Sequence, residues 1–230
     1  MTESFNRREV AFLHDGAFYQ LASIEDLLSE GYPIRPVYLP DLLEGRESLD
    51  GVERLLVADR LHPRLWASAG PACVDVARRG GTVFLSGENS LEAVPGFTLT
   101  PTATNFWWWV SGEDPGIVIN DSSDPLQQYL TPRAQRWHFH GVLHTPPHAA
   151  ILTEHRDQGP EWSAGALLAV DRQTTAGVLA VTTMDPVYHH GSRFMPGASL
   201  LLRGAVEWLA ADASPDAPDH GTSTPNTARG

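Results

Sequence analysis

Four short apolar runs, each ending in a polar or glycine-marked loop, restrict the first half of this chain to one kind of architecture. Val10-Ala11-Phe12-Leu13 runs into His14-Asp15-Gly16, and Pro33 to Leu39 forms a second run. Arg54-Leu55-Leu56-Val57-Ala58 is the third, and Thr82-Val83-Phe84-Leu85-Ser86, entering Gly87-Glu88-Asn89, the fourth. Short runs without polar alternation are strands covered on both faces. After the first, Ser23 and Asp26 at capping-box spacing, apolar Ile24, Leu27 and Leu28, and the stop at Gly31 predict a helix. Pro63 opens a second helical region, which Gly70-Pro71 interrupts and Arg78-Arg79-Gly80-Gly81 ends. This β-α-β-β-α-β order predicts a doubly wound, mostly parallel α/β sheet with helices on both faces.

The second half is less regular. Residues 90–135 carry prolines, glycines and the run Trp107-Trp108-Trp109, and read as an elaboration covering the sheet. Candidate strands resume around His138–Leu143, Ala149–Thr153, Ala166–Val170 and Gly177–Thr182, as mixed or antiparallel additions. A final helix from about Pro196 places Leu200, Leu201, Ala205, Trp208 and Leu209 on one face. Beyond Ala211 the composition shifts to Pro, Asp, Ser, Thr and Gly. The expected organisation is therefore one domain over residues 1–211 and a disordered tail over 212–230.

Composition narrows the chemistry. All 16 basic residues are arginine, so lysine Schiff-base chemistry and the lysine of a phosphate-binding P-loop are excluded. A net charge of −12 disfavours nucleic acid and anionic membranes as partners, and a small-molecule ligand is the expectation. The single cysteine, Cys73, excludes an intrachain disulfide. With no export signal and no apolar run of membrane-spanning length, the cytoplasm is the expected compartment. No glycine pattern for a dinucleotide is present.

Candidate chemistry gathers where strands end, because open α/β sheets bind ligands at the carboxyl ends of their strands. The Gly177–Thr182 strand delivers Asp185, Tyr188, His189 and His190. A carboxylate beside an imidazole can orient it or raise its basicity for acid–base work. The same residues also serve as a turn, with histidines hydrogen-bonded on a loop; in an extended backbone only one of His189 and His190 can face a pocket. Trp137-His138-Phe139-His140 puts two imidazoles on one face if it is a strand, a usable metal-ligand spacing. Asp185, His189, Glu88 or His144 could complete a zinc-like divalent site. The alternative is two hydrogen-bonding histidines among aromatics. Ser86, Glu88 and Asn89 end the fourth strand, Glu88 being the better base or ligand. His14 and Asp15 end the first strand, where Gly16 lets the chain pass close to a ligand. Trp108 and its neighbours offer indole faces to a substrate or to an intersubunit contact, which leaves a homo-oligomer open.

The Arg79-to-Glu88 block, together with the Gly177–Thr183 strand, its polar loop and Leu200-to-Trp208, resembles the class I glutamine amidotransferase-like superfamily, nearest the ThuA-like proteins. The resemblance implies a flavodoxin-like sheet and a link to sugar metabolism. Those amidotransferases carry a cysteine at a strand-to-helix elbow and a histidine in a His-Pro-Glu element. Here Leu85-Ser86-Gly87-Glu88 and Met184-Asp185-Pro186 stand in those places. The expectation is a hydrolase or lyase acting on a small polar, sugar-derived substrate with Asp185, His189, His190 and Glu88 as catalytic groups, and not a glutaminase. The alternative is a noncatalytic binding or assembly domain that kept the fold.

Overall fold

The computed structural model describes residues 7–102, 108–156 and 164–211, apart from the side chain of Trp109. The expected tail at 212–230, Phe106 and Trp107 lie outside the described residues. The chain begins β1 (Val10–His14), α1 (Phe18–Ser29), β2 (Ile34–Tyr38), α2 (Leu39–Leu43), β3 (Arg54–Val57), α3 (Pro63–Arg78) and β4 (Thr82–Leu85). It continues with β5 (Thr98–Pro101), α4 (Trp108–Ser111), β6 (Ile117–Ile119), a 3-10 turn at Pro125–Tyr129 and α5 (Pro132–Gln135). The last elements are β7 (Gly141–His144), β8 (Ala150–His155), β9 (Gly165–Asp171), β10 (Val178–Thr182), α6 (Pro186–Gly191) and α7 (Pro196–Ala210).

Strands β2-β1-β3-β4-β10 are parallel and adjacent in that order, the doubly wound arrangement expected of the apolar runs. All five residues of β1 and all four of β4 are buried, as two-sided cover requires. β9 joins β10 antiparallel, β8 and β7 both pair with β9, and β5 and β6 extend the margins. Phe84 meets Trp208 of α7 edge-on at 6.5 Å, so the last helix seals the middle of the sheet. No helix among the described residues is long and apolar enough to cross a membrane.

Several local expectations are corrected. β10 is the fifth parallel strand and belongs to the central sheet, not to the additions. Helix α1 begins at Phe18, five residues before Ser23; its entry is held by the Gln20 side-chain carbonyl, which accepts from the amides of Asp15, Gly16 and Ala17. Ser23 instead donates to the Val187 carbonyl. Helix α3 runs unbroken through Pro71. Pro71 and Ala67 both lie on its exposed side, where the carbonyl deprived of an amide partner faces water. The segment 90–135 is more than cover, since β5 and β6 widen the sheet. His138 and His140 precede β7 rather than lying in it.

Candidate functional site

Helix α6 organises the site. Pro186 at its first position supplies a preset backbone angle and lacks an amide that would be unpaired there anyway. Its next two amides, of Val187 and Tyr188, donate to the carboxylate of Asp59 at 2.8 and 3.0 Å. Asp59 follows β3 and is fully buried. Burial and the charge of Asp185 push its pKa well above the usual carboxylate range, against the pull of the two amides. Gly87, after β4, lets this happen: its φ is +75°, and a Cβ there would lie 2.3 Å from the Asp59 Cβ. Gly191 likewise allows α6 to meet α1, since a Cβ would come 1.9 Å from the Tyr19 carbonyl oxygen.

Asp185, just before α6, is wholly buried and stands at the centre of a convergent cluster. Its Oδ2 receives the Arg60 guanidinium through Nε at 2.9 Å and Nη2 at 2.7 Å. The same oxygen lies 3.1 Å from His140 Nε2. Its Oδ1 lies 3.1 Å from His189 Nε2, one helical turn on, but without hydrogen-bond alignment. Burial raises the Asp185 pKa; His140 and His189 outweigh it and hold the group ionised, below the usual range. Asp59 and Asp185 are thus pushed apart in opposite directions, the pattern that assigns a proton to one carboxylate and a charge to its neighbour.

His138 Nε2 and His140 Nε2 face each other at 3.0 Å. Burial, helped by His140, pushes His138 down to about 3, so it is neutral near pH 7. His140 Nδ1 lies 3.0 Å from Glu88 Oε1. The Nε2 of His140 lies within 3.2 Å of Asp185 Oδ2, His138 Nε2 and Arg60 Nη2, and the tautomer sets which of these contacts it donates to. Neither ring nitrogen of His189 has a hydrogen-bond partner among the described residues. The ring is instead wedged edge-on against Trp137 and Phe194, at 5.5 and 4.5 Å.

These groups satisfy the chemical test for a divalent transition ion. One ligand atom each from His138, His140, Asp185 and His189 lies within 4.8 Å of the others. Tetrahedral zinc with bonds of about 2.1 Å needs ligands about 3.4 Å apart; three contacts measure 3.0–3.1 Å, through Oδ2 of Asp185 to His140 and Oδ1 to His189, and between His138 and His140, and the remaining pairs lie within 4.8 Å. Imidazole and carboxylate donors suit zinc and its neighbours. Glu88 behind His140 is the outer-shell carboxylate such a ligand usually has. Arg60 competes for two of the same atoms, but its guanidinium also lies 3.9 Å over the Tyr188 ring, a second seat for the charge.

The remaining sequence candidates fall into two groups. Tyr188, Trp137 and Trp108 line a cavity of about 770 Å³ that His138 and His189 also border. The others lie apart from it. His190 points to the opposite side of α6 from His189, with Nδ1 at 2.8 Å from Ser199 Oγ and Nε2 at 3.1 Å from Asp26. The reason is that α6 is a helix rather than a loop, so neighbouring residues diverge by about 100°. Ser86 donates to the Val57 carbonyl. The Asn89 amide bonds the carbonyls of Ala58 and Ser86, and its oxygen takes the Leu61 amide. His14 is buried beside Tyr38, and Asp15 receives the His62 amide. Of the further histidines, His144 meets Thr100 at 2.9 Å and His148 meets Asp171 at 3.0 Å. Cys73 is buried in α3, where burial raises its thiol to about 12.

Asp59 and Arg60 belong to the candidate site but were not singled out by strand-end reasoning. The signal was present: they directly follow the third apolar run, as Glu88 follows the fourth.

No family model matches the chain, and no curated protein does. Solved structures do. One is a glutamine amidotransferase from Thermotoga maritima, 10% identical, covering 90% of this chain and 99% of that one, with a TM-score of 0.57. Another is a GMP synthase-like protein from Thermoplasma acidophilum, 12% identical, covering 89% and 94%, with a TM-score of 0.56. At such identities the likeness establishes an amidotransferase-like, flavodoxin-like α/β fold and nothing about activity.

Proposed function

We propose that this chain is a non-glutaminase enzyme on the amidotransferase-like fold, a hydrolase or lyase for a small polar molecule, working with a divalent transition ion. One observation carries the reading: four donor residues from two distant stretches of the sequence, 138–140 and 185–189, converge, mostly buried, beside a cavity that His138 and His189 line. His138, His140, Asp185 and His189 would hold the ion. Such an ion supplies a Lewis acid and lowers the pKa of coordinated water toward neutrality.

The protein's own groups have definite tasks. Glu88 fixes the His140 ring, and Asp59 anchors the start of α6 so that Asp185 and His189 keep their spacing. Tyr188 and Trp137 narrow the cavity and exclude water beside the reacting groups. Cys73 is remote in α3 and protonated, and Ser86 is tied to Val57, which supports the non-glutaminase part. The ThuA-like resemblance suggests a sugar-derived substrate and belongs to the same proposal.

The Arg60–Asp185 contact favours a second reading, in which the guanidinium itself neutralises the cluster and no ion binds. The domain is then either a metal-free acid–base catalyst or a noncatalytic binder. Calorimetric titration of chelator-treated, tag-free protein with zinc, cobalt and manganese separates these readings. One equivalent should bind, and none to His138→Ala/His140→Ala. Absence of binding to the parent protein would remove the ion from the proposal. Equal hydrolysis of ester, amide and lactone panels by the parent and Asp185→Ala would remove the catalytic role.

A further inference from the structure

The cavity beside the cluster reverses the charge of the molecule. The chain carries 28 acidic residues against 16 arginines, yet among the described residues the cavity is lined by Arg60, Arg133 and Arg136 and by no aspartate or glutamate. Arg133 belongs to α5 and Arg136 directly follows it. Among the described residues the Arg133 side chain has no hydrogen-bond or ion-pair partner. Arg136 makes one exposed ion pair, with Asp114 at 3.5 Å, the outer limit for a hydrogen bond. Two exposed guanidiniums with so little local compensation, in a chain of net charge −12, form a positive mouth that focuses anions. Trp108, Trp137 and Tyr188 line the same cavity and supply aromatic surface beside the arginines.

We infer that the cavity binds a small organic anion, a carboxylate or phosphate on a planar or apolar-faced body, with its anionic group at Arg133 and Arg136. The body stacks on the indole and phenol rings, and the opposite end reaches His138 and His189. Guanidinium is the side chain best shaped for either oxyanion, because its parallel N–H groups bind two oxygens at once. Aromatic faces accept an arene or the apolar face of a sugar ring equally. This inference rests on the proposed site as the place of reaction and adds the recognition end, which no residue of the cluster provides.

Calorimetry on the full chain tests it, with and without zinc, using phenyl phosphate, benzoate and gluconate against the neutral partners benzyl alcohol and glucose. Each anion should bind at least about tenfold more tightly than its neutral counterpart and weaken as salt rises. The Arg133→Ala/Arg136→Ala double variant, both positions being exposed, should fold normally and lose about tenfold or more for anions alone. Comparison of phosphate with carboxylate identifies the headgroup. Anion binding unaffected by the double variant overturns the inference, as does anion binding lost on chelation and indifferent to the arginines, which would mean ligation by the ion. Zinc binding without any anion preference overturns it and leaves the proposed function standing. Arginine-dependent anion binding in a protein that takes no zinc upholds it and removes the ion.

Discussion

Asp185 and His189 stand one helical turn apart at the start of α6, and that turn sets His189 Nε2 3.1 Å from Asp185 Oδ1. The adjacent imidazole cannot share the site, because a step of one residue rotates it away, toward Ser199 and Asp26. Two consecutive histidines therefore have separable roles. His189→Gln should lower turnover, and affinity for the ion, by about 100-fold or more while the fold survives. His190→Gln should leave both intact and cost about 1–2 kcal/mol of stability through the link between α6, α7 and α1. Titration calorimetry and urea unfolding on the pair read the two roles. Equal functional loss in both would show that α6 does not partition them.

Glu88 touches the cluster only through His140 Nδ1. Its carboxylate is about half exposed, so water screens its charge, and its influence is chiefly on ring orientation and tautomer. Glu88→Ala is expected to weaken ion binding by roughly 10- to 100-fold, whereas Glu88→Gln, which keeps an acceptor for Nδ1–H, recovers most of it. If the two variants are equally weak, charge rather than orientation is what Glu88 contributes.

What the sequence made legible follows its strongest physical signals. Continuous apolar runs marked β1, β3 and β4 because strands buried on both faces have no polar side to alternate. Strand-end reasoning pointed to Asp185 and Glu88, and the His-x-His spacing to His138 and His140, which the fold brings together. Short elements escaped it: α2 is barely more than one turn, and β5 is a partly exposed edge strand ending at Pro101, without an apolar run. Asp185, His189, Glu88 and His144 were all open as partners for the His138–His140 pair, and the choice among them depends on where β7 begins. Leu143 pairs with Ala166, and Leu168 with Thr182, which brings the chain just ahead of β7 beside the end of β10. Such long-range register leaves no local trace. The Pro186 signal for a helix start was legible and would have separated His189 from His190.

Gly87 is where the backbone and the site are most tightly joined. An L side chain at φ +75° is strained, and its Cβ would overlap the Asp59 Cβ at 2.3 Å. Asp59 cannot retreat without releasing the amides of Val187 and Tyr188. Gly87→Ala should therefore destabilise by about 2–5 kcal/mol and weaken the site in whatever fraction folds. Gly45→Ala, at a similar φ of +73° with nothing within 4 Å of the added Cβ, isolates the backbone strain. It should cost about 1–2 kcal/mol and leave the site unaltered. Comparable losses in the two variants would mean that overlap with Asp59 adds nothing.

His14 offers a pH test at a distance from the cluster. Burial lowers its pKa below the ordinary value of 6.5, against a smaller upward pull from Asp15, and its buried Nδ1 has no hydrogen-bond partner among the described residues. Between the folded and unfolded pKa values the unfolded chain binds the extra proton. The contribution to stability is thus intact above about pH 6.5 and is lost as pH falls below it toward the folded value. His14→Phe removes the titration and keeps a ring beside Tyr38, which lies 5.5 Å from the imidazole. At pH 8 the variant should match the parent within about 1 kcal/mol. Between about pH 8 and pH 5, urea midpoints at fixed ionic strength should fall less steeply than in the parent protein. Because His14 does not line the cavity, catalysis should be unchanged. A parallel acid limb in the two proteins would show that His14 titrates alike folded and unfolded, and that its burial imposes no proton linkage.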